Sequence, residues 1–235
     1  MSEKLNIKEM KELAAKMGIL TDGLSKATLS YELGKCKKRK NHMGDGYVFV
    51  RKLGMTGRDG NVSCVKYKNR RQYAKKQFRK NRSTKAIKME AMLQQKAAKS
   101  GLSPIVKEFN LNSKYIIMDV VDGGSMYARM KIKKGKLSVN HQKELLTIFS
   151  KLDTLGIFHK DPNPLNFLFD NDNKLFIIDF GFAEKSNEAR HGDAPNMDQM
   201  TLGLLIKFKR LFPGVSYNTM KKTLKPGLLK ILNGE

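Results

Sequence analysis

Apolar and polar positions alternate through "YVFVRKLG" (47–54), "NVSCVKYK" (61–68) and "RQYAKKQF" (71–78), a period of two that predicts three antiparallel strands with tight links. At Ser83 the period changes. From there to Ser100 the apolar positions include Ile87, Met89, Ala91, Leu93 and Ala97, and a helix is expected. "YIIMDVV" (115–121) reads as a buried strand running into the turn "DGGS", and a second helix is expected around 140–155. The segment "NFLFDNDNKLFIIDF" predicts a hairpin turning at "DNDN", with helical segments from there to Glu235. Strands first and helices later predict an α+β architecture, a sheet-rich lobe followed by a helical one. Residues 1–34 stand apart as two short helices, Ile7 to Met17 and Ser25 to Leu33, around "GILTDG". "KCKKRKNHMGDG" (35–46) follows as a basic linker ending in a glycine turn.

Between the second helix and the hairpin lies "HKDPNPLN", His159 to Asn166. Two prolines in three residues rule out a regular helix there, and no glycine loosens the segment. Stiff polar loops on rigid flanks are where binding and catalytic groups collect. Taken alone, such a loop is a solvated turn, here capped by Asp161 and Asn163, more often than a site.

A length of 235 residues with 40% hydrophobic content allows one sizeable core, or a two-lobed unit with a small appendage. Cys36 and Cys64 lie far apart and outside any C-x-x-C pattern, which argues against a disulfide framework or zinc site and predicts a reducing intracellular setting, cytoplasm or nucleus. No apolar window has the length of a signal-peptide core or a membrane span. The net charge of +24, from 46 Lys+Arg against 22 Asp+Glu, is locally clustered and predicts anionic company: nucleic acid, nucleotide or anionic lipid.

Several polar groups fall at the ends of predicted elements. "LGMTGRDGNVS" sets Gly54, Gly57 and Gly60 in the turn between the first two strands, where bare backbone N–H groups can approach phosphate oxygens. On the third strand Lys75 and Lys76 point to opposite faces, and Lys76 shares its face with Ala74. Glu90 is the only acidic residue between Lys76 and Glu108, so a Lys76–Glu90 ion pair is the economical reading. Asp179 ends an apolar strand just before Phe180 and Gly181, a position that packing explains poorly and a magnesium ion explains well. Asn166 offers a second oxygen, and Asp161 a proton acceptor for an attacking hydroxyl.

From about Tyr47 to Leu211 this ordered set resembles the protein kinase superfamily: the glycine-rich loop with Val62, A-x-K at Ala74 and Lys76, Glu90, H-x-D-x-x-x-x-N, and D-F-G. The resemblance implies a bilobal kinase-like fold using ATP and Mg²⁺. Lys76 would bind the α- and β-phosphates, Asp161 would be the catalytic base, and Asn166 and Asp179 the metal ligands. Met118 would line the adenine pocket, Leu168 would form its floor beside Val62 and Ala74, and the Asp119 carbonyl and Val121 amide would take the adenine hydrogen bonds.

The chain also departs from the pattern. Lys160 replaces the usual arginine, whose fork geometry a lysine cannot reproduce when pairing with a phosphorylated activation loop. Asn163 stands where kinases acting on Ser/Thr usually carry a lysine that neutralises the γ-phosphate. The stretch from Asp179 to Asp198 is short and lacks A-P-E, and Asp198 resembles the buried aspartate that anchors the catalytic loop. Such a minimal build resembles kinases of large DNA viruses and bacterial effectors, which would make the protein virion-associated if viral. Residues 1–34 are similar to the SAP motif, a helical hairpin associated with DNA; a hairpin docked on protein fits the same pattern.

The expected organisation is a SAP-like hairpin at 1–34, a linker at 35–46, a kinase N-lobe at 47–121 and a truncated C-lobe at 122–235. The expected activity is transfer of the ATP γ-phosphate to Ser/Thr hydroxyls of a protein substrate, with nucleic acid held through residues 1–40. A pseudokinase-like interaction protein and a small-molecule kinase are the alternatives.

Overall fold

Alternation along the first strands becomes pairing in the computed structural model, which describes residues 46–54, 57, 59–67 and 71–235. The expected hairpin at 1–34 and the linker up to residue 45 lie outside the described residues. So do Met55, Thr56 and Arg58 of the glycine-rich turn. The strands β1 (Tyr47–Leu53), β2 (Gly60–Tyr67) and β3 (Arg71–Phe78) pair antiparallel in sequence order. Helix α1 (Thr84–Lys99) follows, capped by the Ser83 hydroxyl, which accepts from Ala86 N–H at 3.2 Å. Two further strands, β4 (Val106–Asn110) and β5 (Tyr115–Asp119), complete a five-stranded sheet of order β1-β2-β3-β5-β4.

The remaining elements are mostly helical: α2 (Met126–Ile132), α3 (Val139–Thr154), the two-stranded pairs of β6 (Ile157–Phe158) with β9 (Glu184–Lys185) and β7 (Phe167–Phe169) with β8 (Leu175–Ile177), the one-turn α4 (Glu188–His191), α5 (Thr201–Leu211), the one-turn α6 (Asn218–Lys221) and α7 (Pro226–Asn233). A sheet-rich half followed by a helical half is the α+β order that the sequence predicts. Strand β4 and helix α2 were not expected. Only Val106 of β4 is buried, so it lacks the alternation that marks a strand, and α2 is seven residues long, too short to show a period.

Helix α1 ties the two halves together. Its Ile87 and Ala91 pack with Ala74, Phe78, Val106, Ile116 and Met118 under the sheet. Further along the helix, Leu93 and Ala97, each six residues after one of these, enter the larger helical core with Leu145, Phe149 and Phe208. One helical face thus spans both cores, with Glu90 at the junction and only 1% exposed. No helix among the described residues is long and apolar enough to cross a membrane.

Candidate active site

The register of the sheet decides which lysine faces inward. Ala74 pairs with Met118 and Lys76 with Ile116, so Lys76 emerges on the α1 side with its Nζ 2.5 Å from Glu90 Oε1 and 2.7 Å from Asp179 Oδ1. One ammonium therefore links the sheet, α1 and the segment after β8. Burial opposes its charge, but Glu90 and Asp179 together outweigh burial and raise its pKa. A single cation cannot satisfy two carboxylates equally. Burial holds the Glu90 pKa up against Lys76, whereas at Asp179 the field of Lys76 overcomes burial and pulls the pKa down. The two carboxylates are thus shifted in opposite directions, and the Asp179 side chain remains 44% exposed.

Asp179 takes φ +65°, ψ 69°, a left-handed conformation that non-glycine residues seldom hold and that clusters at functional sites. The twist sends neighbouring side chains opposite ways. Phe180 is buried in the helical core, edge-on to His159 at 4.9 Å between ring centroids, while the Asp179 carboxylate turns to Lys76. His159 is fully buried; burial lowers its pKa, and its Nε2 lies 3.1 Å from the Ile178 carbonyl, as a neutral ring donating one N–H would.

The His159–Asn166 loop is rigid for visible reasons. Asn163 N–H donates to the Asp161 carbonyl at 2.8 Å, and Asn163 Oδ1 accepts from Leu165 N–H at 3.1 Å, capping the 3₁₀ turn Pro164–Asn166. Asn166 Nδ2 donates to Asp161 Oδ2 at 2.8 Å, which fixes the carboxylate and commits the amide nitrogen. The amide oxygen is what remains for a hard cation, and with Asp179 it forms the one- or two-oxygen protein donor set that magnesium ordinarily takes. The residues present fit that ion.

The other expected site residues are divided between the two halves. Val62, Ala74 and Met118 share the sheet core, and Gln94 Nε2 donates to Met118 Sδ at 3.2 Å. Leu168 is half-buried between the fully packed Phe167 and Phe169, so strand alternation in β7 points it out of the helical core. Asp119 N–H is taken by the Ile105 carbonyl and its carboxylate by Arg71 and Lys107, while the Val121 N–H makes no hydrogen bond among the described residues. In the glycine-rich turn, Gly57 N–H donates to Gly60 O at 3.0 Å. Gly60 itself serves packing, since a Cβ there would sit 2.1 Å from the Gln77 carbonyl oxygen.

Four features were not foreseen. Lys75 does point to the face opposite Lys76, but it is as deeply buried, its ammonium 4.1 Å above the Tyr115 ring. Arg82, just before α1, donates to the Gly181 carbonyl at 2.7 Å and pairs with Asp59 at 3.4 Å, so it joins the glycine-rich turn to the Asp179 segment. Lys160 at φ +66° pairs with Glu184 of β9 at 3.0 Å, and His191 Nε2 lies 2.9 Å from the same oxygen.

The fourth is a correction. Asp198 does not anchor the loop: it lies in the π-helical turn Asn196–Met200 and pairs with Lys225 at 2.5 Å. The anchor is Asn196, fully buried, whose Oδ1 accepts from His159 N–H at 3.0 Å while Nδ2 donates to Ile157 O and Asp153 Oδ1, both at 2.6 Å. A wide turn at the start of α5 brings position 196, and not 198, to the loop, and no local pattern in the sequence announces such a turn.

Comparison with known proteins follows the same outline. The serine/threonine-protein kinase PEPKR2 of Arabidopsis thaliana is 29% identical over 157 residues, 62% of this chain and 32% of that protein. CDPK-related kinase 3 of the same plant is 35% identical over 80 residues, 31% of this chain and 13% of the relative. The calcium-dependent protein kinase 11, also from Arabidopsis thaliana, is 37% identical over 76 residues, 29% and 15% of the two chains. The matched stretch thus spans a third or less of these relatives' length. A protein kinase domain model matches residues 47–202, from the first residue of the sheet into the helix beneath the His159–Asn166 loop, and the chain belongs to the protein kinase family.

Proposed function

We propose that this chain is a Mg²⁺-dependent kinase that transfers the γ-phosphate of ATP to serine or threonine hydroxyls of proteins. The observation that carries this reading is the Lys76 bridge, which joins Glu90 of α1 to Asp179 after β8 across the junction of the two halves, while Asn166 holds Asp161 in the His159–Asn166 loop. The relative PEPKR2, a serine/threonine-protein kinase by name, supports the acceptor class.

The acceptor hydroxyl oxygen bonds to the γ-phosphorus as the bond to the bridging oxygen breaks and ADP leaves; the hydroxyl proton passes to Asp161. Asp161 is held for this by Asn166. Lys76 orients the α- and β-phosphates, and Glu90 holds Lys76. Asn166 and Asp179 would hold magnesium, which supplies charge neutralisation on the phosphate oxygens. Val62, Ala74, Met118 and Leu168 would enclose the adenine, with Val121 N–H and the Asp119 carbonyl as its polar contacts. Lys160, at the position where kinases usually carry an arginine, is paired with Glu184, which supports activity without activation-loop phosphorylation.

The basic segment 1–40 and the net charge of +24 support a tether to nucleic acid or a nucleoprotein assembly, virion included, inside the cell. That segment lies outside the described residues. The test of the main reading is incubation with γ-labelled ATP, Mg²⁺ and generic protein substrates. Label on serine or threonine supports it; label confined to small molecules favours a small-molecule kinase, and nucleotide binding without transfer favours the pseudokinase alternative.

A further inference from the structure

Phosphoryl transfer spreads negative charge over three equatorial oxygens beside the catalytic base, where a nearby cation stabilises the transition state. Lys76 serves the other end of the nucleotide, held between Glu90 and Asp179. Within the His159–Asn166 loop the one basic residue besides His159 is Lys160, and its ammonium is turned away to Glu184 at 3.0 Å. Asn163 is neutral, with its carbonyl oxygen spent on the turn.

We propose that Lys207 of α5 supplies this missing charge, an assignment that rests on the kinase reading above. Its Nζ lies 3.8 Å from Asp161 Oδ1, the carboxylate oxygen that Asn166 leaves open. The approach is built into the packing. Gly203, one turn earlier on the same helical face, lies so close to the loop that a Cβ would sit 2.5 Å from Pro162 Cγ, and this closeness carries Lys207 to the loop.

Two features suit Lys207 to the substrate as well as to Asp161. At 3.8 Å the contact is an ion pair and not a hydrogen bond, so the ammonium keeps its N–H donors for phosphate oxygens. Its side chain is 41% exposed and can move toward them. An acceptor oxygen lies about 3 Å from its base and about 3–3.5 Å from the phosphorus it attacks, so a lysine at the base is within reach of the phosphoryl group. Lys207 keeps its protons throughout; the hydroxyl proton goes to Asp161.

The test compares Lys207→Met, Lys207→Arg and the double variant Lys207→Met with Asn163→Lys in γ-phosphate transfer, alongside thermal melting. Lys207→Met should lower kcat by about 10²–10³-fold, the loss typical of one oxyanion-stabilising donor. KM for ATP should stay within a few-fold and the melting temperature should be unchanged. Asn163→Lys puts an ammonium back on the same turn and should restore much of the lost kcat; Lys207→Arg should retain much of it. Wild-type turnover in Lys207→Met overturns the proposal. So does a loss that neither Lys207→Arg nor Asn163→Lys repairs, since a structural role would not follow the charge. Absence of transfer by the wild-type protein would sink the kinase reading itself.

Discussion

Replacing Asn196 by alanine removes the amide that ties the His159–Asn166 loop to the start of α5. Three side-chain hydrogen bonds go at once: from His159 N–H, to Ile157 O and to Asp153 Oδ1. Asp153 still accepts from the backbone N–H groups of Asn196 and Met197, so it is not orphaned. His159 N–H and the Ile157 carbonyl are, and both are buried. An unsatisfied buried group costs about 1–3 kcal/mol, so two give roughly 3–5 kcal/mol once the small cavity is included. At about 2–4 °C per kcal/mol for a chain of this size, the melting temperature should fall by on the order of 10 °C. Far-UV circular dichroism melts read this directly. Asp198→Ala is the paired control, because the Asp198 carboxylate pairs with the exposed Lys225, and it should melt with the wild type. The reasoning fails if Asp198→Ala loses as much stability as Asn196→Ala, or if Asn196→Ala melts like the wild type.

Three further outcomes follow from the same geometry. Asp179→Ala should lose most of the upward melting shift that Mg²⁺-ATP gives the wild type, since bound ligand stabilises in proportion to its affinity; an undiminished shift would remove Asp179 from the ligand site. Burial depresses the His159 pKa below its unfolded value, so the unfolded chain binds a proton first and stability should drop as pH falls below about 6.5. Melts between pH 7.5 and 5.5 should show that drop, smaller in His159→Gln; an equal drop in both would assign it to other groups. Gly203→Ala pushes a methyl into Pro162 and should destabilise by about 1–3 kcal/mol while lowering transfer, checked by urea unfolding and turnover; a silent substitution would contradict the close approach of α5 to the loop.

Much of the site was legible because its chemistry sits in short runs. Ala74 and Lys76 on one strand face, Asp161 with Asn166 in a proline-stiffened loop, and Asp179 at a strand end need only period two and turn chemistry to be placed. Residues acting across long sequence distances were not legible. Arg82 reaches Gly181 across 99 positions, Asn196 reaches His159 across 37, and the Lys207 contact depends on how closely α5 meets Pro162. Lys75 shows the limit of pattern from the other side: alternation gave its direction but not the aromatic ring that buries it. Asp198 was misassigned because motif spacing assumes a regular helix, and the π turn at Asn196–Met200 shifts the anchoring position by two residues.

On the proposed mechanism Asp161 takes the proton of an acceptor hydroxyl during transfer from ATP. Asp161→Asn keeps the size of the side chain while abolishing its function as a base. Label transfer from γ-labelled Mg²⁺-ATP to a serine/threonine protein substrate, measured for wild type and Asp161→Asn beside nucleotide affinity, is the most direct test. The account predicts a loss of at least about 10²-fold in kcat with ATP affinity nearly unchanged. Equal transfer by the two proteins would contradict it.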